Sequence, residues 1–536
     1  MQLSRRRFLA LSATFTLAAC ASDDPEPDAS PATDPPSTSP TATDAPTTTG
    51  VTTTDAPTTT TTTTTTIAEV DSPFETDPFV HGVASGDPDD GSVVLWTRLG
   101  GEFEDGDIEV AWTVTGDDGA EQSGDVITNA DLGYSVRVVV ELDGPSSYRF
   151  SVPLFDSPEG RTAPIDPDAS EFRIATASCQ HYETGHYAAH RDIAEWSPDL
   201  VVFLGDFIYE GDATESSDGR PTVRAHEGRE PDDLDGYRGR YSTYLSDPHL
   251  QASRAAAPWL AIWDDHEVEN DYAGLTSQPD GEADDDPAIF ATKRNAAYRA
   301  WWENTPTRLP APVAGEPFVI HRGIDVGSLL RISALDGRQY RTDQVSDVIL
   351  DIGPPVDGWD DPDRTMLGSE QEAWITERFA SSAATWNCLA QQTVLSDARI
   401  GPDGSILNYD QWDGYVPARE RLLAGAPANL VALTGDIHLA GIATVGPLDA
   451  PVGIEFITTA ISSTANIDPE LADLVLGIPS IVDGELVSRG YTRHTVTLDA
   501  WTADYRSVAD ILDADSAVTT WKTFRVDAGS PAAAEI

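Results

Sequence analysis

Four apolar runs in this chain each stop at a cluster of side chains able to donate to a metal ion, and no other feature narrows the possible folds as far. Phe172-Arg173-Ile174-Ala175-Thr176 runs into Ser178-Cys179, and Leu200-Val201-Val202-Phe203-Leu204 into Gly205-Asp206. Trp259-Leu260-Ala261-Ile262-Trp263 runs into Asp264-Asp265-His266, and Leu430-Val431-Ala432-Leu433-Thr434 into Gly435-Asp436-Ile437-His438. Runs that are apolar along nearly their whole length mark strands buried on both faces, as in the parallel sheets of α/β proteins. In such sheets ligands bind beyond the carboxyl ends of the strands, so the four clusters are expected to converge on one pocket. A single Asp after a strand often only caps a turn, and a lone His is usually structural. Four donor-rich clusters after four such strands are harder to assign to capping.

Ahead of Glu171 the texture differs. Ser92–Thr97, Ile108–Val114, Tyr134–Val140 and Tyr148–Val152 are short, period-two runs with Gly, Asp and Pro between them. They read as a small antiparallel β-sandwich over residues 72–168, followed by an α/β catalytic domain over residues 169–536. Residues 21–71 are mostly Thr, Pro, Asp and Ser, including an unbroken Thr58–Thr66 run. They hold too few apolar side chains to offset chain entropy and are expected to form a disordered tether. Residues 1–20 read as an address. Ser4-Arg5-Arg6-Arg7-Phe8-Leu9 opens an apolar stretch ending at Ala19, shorter than the roughly 20 residues a spanning helix needs and similar to a twin-arginine signal. Leu17-Ala18-Ala19-Cys20 then resembles a lipoprotein box, which predicts export and a membrane anchor through lipidated Cys20.

Charge and cysteine content bound the partners. With 90 acidic against 33 basic residues the formal charge is -57, a field that repels polyanions and argues against a nucleic-acid partner. A phosphate ligand must then be drawn in by local positive charge, and bound cations are the obvious source. The three cysteines are Cys20, Cys179 and Cys388. With Cys20 lipidated, at most one disulfide remains, so a disulfide scaffold is excluded. Cys388 reads as a small core residue, with a Cys179–Cys388 disulfide as the alternative.

At this point the sequence resembles a known family. Gly205-Asp206-Phe207-Ile208-Tyr209-Glu210, Trp263-Asp264-Asp265-His266-Glu267, Gly435-Asp436-Ile437-His438 and Ala177-Ser178-Cys179-Gln180 are similar to motifs of the PhoD-type alkaline phosphatases, within the calcineurin-like metallophosphoesterases. The likeness extends to His81-Gly82-Val83-Ala84-Ser85-Gly86-Asp87-Pro88, Leu95-Trp96-Thr97-Arg98, Leu335-Asp336-Gly337-Arg338-Gln339-Tyr340-Arg341 and Trp412-Asp413-Gly414-Tyr415. It implies a β-sandwich followed by a four-layer catalytic sandwich with metals at the strand ends. It also implies Fe3+ held by Cys179, Asp206, Tyr209 and His438, a donor set whose thiolate and phenolate suit iron far better than calcium. Asp206 would be shared with Ca2+, completed by Asp265 and Asp436, where many relatives carry Asn and His. Gln392 and Asn270 are further candidate oxygen donors. Gly337 stands where the family usually has Thr, and Asn270-Asp271 where it often has Asn-Asn.

The chemistry expected is hydrolysis of phosphate monoesters, diesters or both by a metal-activated water, with His266 as general acid. Arg338 would either fork onto a phosphate oxygen or pair with Asp336 or Glu267. His181, His186 and His190 read as faces of the helix after Cys179, not as ligands. The loop from Gly211 to Tyr237 is a candidate substrate rim. The rival readings are a phospholipase D-like diesterase and a non-catalytic phosphate-binding lipoprotein; a monomer is expected.

Overall fold

The computed structural model describes residues 72–103, 106–213, 216–217, 220–226, 228–278, 283–346, 352–464 and 469–536. The leader, the lipoprotein box and the tether lie outside the described residues.

The strand-end prediction starts from Glu171–Ala177, Leu200–Phe203 and Pro258–Ala261, which pair in parallel as neighbours. They are the centre of a ten-stranded sheet. The fourth run, Leu430–Thr434, belongs to a seven-stranded sheet, between the parallel strands Trp386–Ala390 and Gly453–Ile457. Period two sorts this sheet's side chains. Cys388, Val431 and Leu433 face a core shared with Ile174 and Val202 of the ten-stranded sheet. Leu389, Leu430 and Ala432 face the opposite way, onto Ile375 and Phe379 of the helix Gly368–Ala380 and Leu422 of the helix Val416–Ala424. The ten-stranded sheet carries its own helices: from Ala188–Trp196, His190 stacks on Phe203 and Trp259. The result is the expected four-layer α/β sandwich. Cys388 is buried in the shared core and unpaired, so the disulfide alternative does not form.

The N-terminal β-sandwich is present but is not free-standing. Its strands Val83–Asp89, Ser92–Arg98 and Ser135–Glu141 continue the ten-stranded sheet, because Val83–Asp89 pairs in parallel with Pro258–Ala261. Gly86 makes that junction possible, since a Cβ there would lie 2.1 Å from the Pro306 carbonyl oxygen and 2.7 Å from that of Trp259. The facing sheet, built on Ile108–Gly116, Glu121–Thr128 and Ser146–Val152, closes a second core of Val93, Leu95, Val110, Val136 and Phe150.

The motifs quoted from this region turn out to be seams. Trp96 donates to the Glu303 carbonyl at 3.0 Å, and Arg98 to Asn304 Oδ1 at 3.0 Å. Both acceptors end the helix Pro287–Asn304, which starts from an Asp286 cap with proline in its first turn. Asp87 accepts from Thr307, Arg308 and Arg322. No helix among the described residues is long and apolar enough to cross a membrane.

Candidate metal centre

The strand-end loops turn sharply, and Cys179, Asp206, Asp436 and His438, donors themselves, sit at the turns. Cys179, Asp206, Asp271, Asp436 and His438 all adopt positive φ, between 55° and 65°. Left-handed backbone at non-glycine residues costs of order 1–3 kcal/mol each and persists where surrounding structure over-determines it. Here cross-loop bonds do so. Cys179 N donates to the Gly205 carbonyl and Gln180 N to that of Asp206, both at 3.1 Å. The buried Glu267 carboxylate accepts from the backbone of Asp206 at 3.0 Å, Phe207 at 2.6 Å and Asp264 at 2.8 Å, binding the second loop to the third. Gly205 permits their approach, because a Cβ there would sit 2.5 Å from Asp264 N.

Two donor groups result. In the first, ligand atoms of Cys179, Asp206 and His438 lie within 4.8 Å of one another. Tyr209 Oη joins them, 2.8 Å from Asp206 Oδ2 and 3.1 Å from His438 Nε2. His438 Nδ1 lies 3.1 Å from the Thr464 carbonyl, which fixes the proton there and leaves the Nε2 lone pair facing the group. Two acceptors, Asp206 Oδ2 and His438 Nε2, thus compete for the single phenolic proton of Tyr209, while Asp206 Oδ1 is buried with no hydrogen-bond partner. Converging lone pairs without protons to fill them are what a cation would satisfy. Burial pushes the Cys179 thiol, the Asp206 carboxyl and the Tyr209 phenol all well up from their ordinary values. A bound metal reverses that by holding each deprotonated.

The second group is a carboxylate cage. Asp264, Asp265 and Asp436 present oxygens within 4.8 Å of one another. Arg338, wholly buried, pairs with Asp264, with Asp410 at 2.9 Å, Asp436 at 3.4 Å and Asp265 at 3.5 Å. Arg341 also pairs with Asp410, at 2.7 Å, yet two guanidiniums do not balance the four acids. Burial drives Asp264 well up and Asp436 to about 7. Burial also works against Asp265, but Arg338 and His266 outweigh it and hold that carboxyl at about 2. Asp264 Oδ2 is buried without a partner. Hard oxygens with surplus charge suit a calcium-like cation, and the sulfur, phenol and imidazole of the first group suit iron, so both residue sets fit the metals expected.

His266 stands between the groups, with its ring 4.1 Å from that of Tyr209. Its Nδ1 lies 2.7 Å from Glu210 Oε2, and Glu210 Oε1 accepts from Asn270 N at 2.7 Å. Burial alone would lower the imidazole, but Glu210, Asp206 and Asp265 outweigh it and push it well up.

With this geometry in view, comparison with known proteins is direct. The PhoD-like phosphatase family matches residues 174–505, and the N-terminal domain of PhoD-like phosphatases matches residues 59–165. The chain belongs to the PhoD-like phosphatase family. Alkaline phosphatase D of Bacillus subtilis (strain 168) is 36% identical over 480 residues, 84% of this chain and 81% of that protein. The solved structure of PhoD superposes with a TM-score of 0.81 at 34% identity, covering 86% of this chain and 93% of that one. This PhoD-like phosphatase is therefore a phosphoric ester hydrolase of a metal-dependent family.

The structure brings together Cys179, Asp206, Tyr209, Asp265, His266, Asp436 and His438, all singled out in the sequence. The Gln392 side chain is a clamp: its oxygen accepts from Gly337 N at 3.1 Å, and its amide donates to the carbonyls of Trp263 and Leu335. The Asn270 amide donates to Asp271 at 2.9 Å and Gln278 at 3.0 Å. Arg338 pairs with Asp264, Asp265, Asp410 and Asp436, and neither Asp336 nor Glu267 is its ion-pair partner; the Arg338 backbone N–H, not its guanidinium, donates to Asp336 Oδ1. The helix after Cys179 begins at Ala188, so it carries only His190 of the three histidines. His181 instead lies against Tyr209, ring centroids 4.5 Å apart.

Sequence reasoning missed Glu210, Asp264, Asp271, Asp410 and Ser463. Glu210 and Asp264 stood inside quoted motifs, and Asp410 two residues before one, so their neighbourhood was visible though their roles were not. Two further donor groups already hold a cationic side chain. Lys293 sits among Glu230, Glu269 and Asp284, and Arg240 lies 3.5 Å from His226 in the group of His181, Glu183 and His226.

Proposed function

We propose that this phosphatase hydrolyses phosphate monoesters, diesters or both at a mixed centre. Fe3+ would be held by Cys179, Asp206, Tyr209 and His438, and Ca2+ by Asp206, Asp265 and Asp436 with Asp264 alongside. The observation that carries this reading is the competition of Asp206 and His438 for one phenolic proton beside an unpartnered Asp206 oxygen. Bound there, the cations supply neutralisation of phosphoryl charge and activation of water near neutral pH. The protein's own groups do the rest. Glu210 holds the His266 Nδ1 proton, which fixes the ring and leaves Nε2 to protonate the departing alkoxide. Glu210 also raises the imidazole, which favours the protonated ring. Arg338, wholly buried, orients the cage carboxylates from behind.

The N-terminal sequence supports export by the twin-arginine route and anchoring through lipidated Cys20, so that the enzyme works outside the membrane as a tethered monomer. Elemental analysis of purified protein, alongside turnover of monoester and diester chromogens at equal enzyme concentration, tests the reading. Iron with calcium and released phosphate is expected; zinc alone, or ester binding without turnover, would sink it.

A further inference from the structure

We infer that Ser463 is a positioning residue for Tyr209: its hydroxyl is the hydrogen-bond donor reserved for the phenolate oxygen when Tyr209 holds iron. This rests on the proposed iron ligand set. Ser463 is 2% exposed, and its Oγ lies 2.7 Å from Tyr209 Oη and 2.8 Å from the Cys179 carbonyl oxygen. The His181 N–H donates to that Oγ at 3.1 Å, occupying its acceptor side. A hydroxyl has one proton to give, so Ser463 must choose between the Cys179 carbonyl and Tyr209. A phenol at Tyr209 leaves that choice balanced, since its own proton goes to Asp206 or His438. With that proton gone, Tyr209 Oη is the only anionic acceptor of the two, and charge-assisted bonds are about twice as strong as neutral ones.

The surrounding loop is built to hold this donor in place. Ile461 N donates to the Ser178 carbonyl at 2.9 Å, and Gly490 N to that of Ala460 at 2.8 Å. Ser462 Oγ turns away, to the His181 carbonyl at 2.8 Å. The carbonyl of the next residue, Thr464, accepts a hydrogen bond from His438 Nδ1, so two successive residues orient ligands delivered by two different sheets. Such outer partners tune the electronics of a metal ligand. Without Ser463 the phenolate oxygen is richer in electrons and gives up charge to iron more readily.

The test is the visible phenolate-to-iron charge-transfer band of the full-length iron-loaded protein, normalised to iron content. S463A is expected to move the band to longer wavelength, and S463C, which keeps the volume with a weaker donor, to move it less in the same direction. S462A should leave it in place. A wild-type band that neither S463A nor S463C displaces overturns the inference alone. A wild-type protein that hydrolyses phosphate esters but lacks the band overturns the iron assignment and this inference together.

Discussion

Among the described residues, the acidic clusters around Lys293 and around Arg338 differ in what fills them. Around Lys293, the carboxylates of Glu230, Glu269 and Asp284 each reach the ammonium at 2.5–2.8 Å. Around Arg338 the acids outnumber the cations even with Arg341 on Asp410, Asp264 keeps an unpartnered buried oxygen, and Asp206 keeps another beside the cage. Counting charges would rank the clusters together. Counting unsatisfied lone pairs separates them: the first is closed by the chain itself, whereas the second requires something the chain does not encode.

That contrast can be broken by substitution. Asp206→Asn should give the largest effect, a loss of metal and a fall in turnover of about a thousandfold, as expected if several kcal/mol of metal assistance disappears. Retained metal and undiminished turnover would erase the distinction. Glu210→Gln should retain metal but lower kcat by about 10²–10⁴-fold, the range for a lost general acid. Since Glu210 raises the His266 pKa, the protonated imidazole survives to higher pH in the wild type; in the variant the alkaline fall of the pH–rate profile should move to lower pH. An unmoved limb would remove His266 from the acid role.

Lys293→Met tests the other cluster. Stripping the cation from three partly or wholly buried carboxylates should cost about 3–5 kcal/mol of stability, read by denaturant unfolding, while specific activity of the folded fraction stays near wild type. Loss of metal without loss of stability would show the two clusters to be alike after all. The smallest effect is expected at Cys388, buried in the shared core without a partner. Cys388→Ala should cost about 1–2 kcal/mol and leave activity insensitive to reductant.

Much of the centre was legible because parallel strands buried on both faces are nearly uniform in apolarity, and the donors follow them directly in the chain. Cys179, Asp206, Asp265 and Asp436 needed no long-range information. His438 stood in the fourth cluster in the same way, and Tyr209 came with the family resemblance. Glu267 and Ser463 were out of reach for a different reason: each acts on backbone or side-chain atoms supplied by another loop, and nothing local marks a carboxylate that will collect three N–H groups. The join of the sandwich to the catalytic sheet was equally hidden, since Ser85 pairs with Pro258, a strand far along the chain that no local pattern points to. The seam residues Trp96, Arg98 and Asp87 were noticed as motif members, but their sequence does not reveal that the first two bond to the end of a distant helix and Asp87 to the chain beyond it.

The shared sheet also limits how this protein can be cut or recombined. A chain beginning at residue 169 would leave the Pro258–Ala261 strand without one of its two parallel neighbours and one row of amide and carbonyl groups bare. Such a row invites pairing between molecules. The first hundred or so folded residues thus act as an integral flank that keeps the hydrolase from polymerising through its own middle.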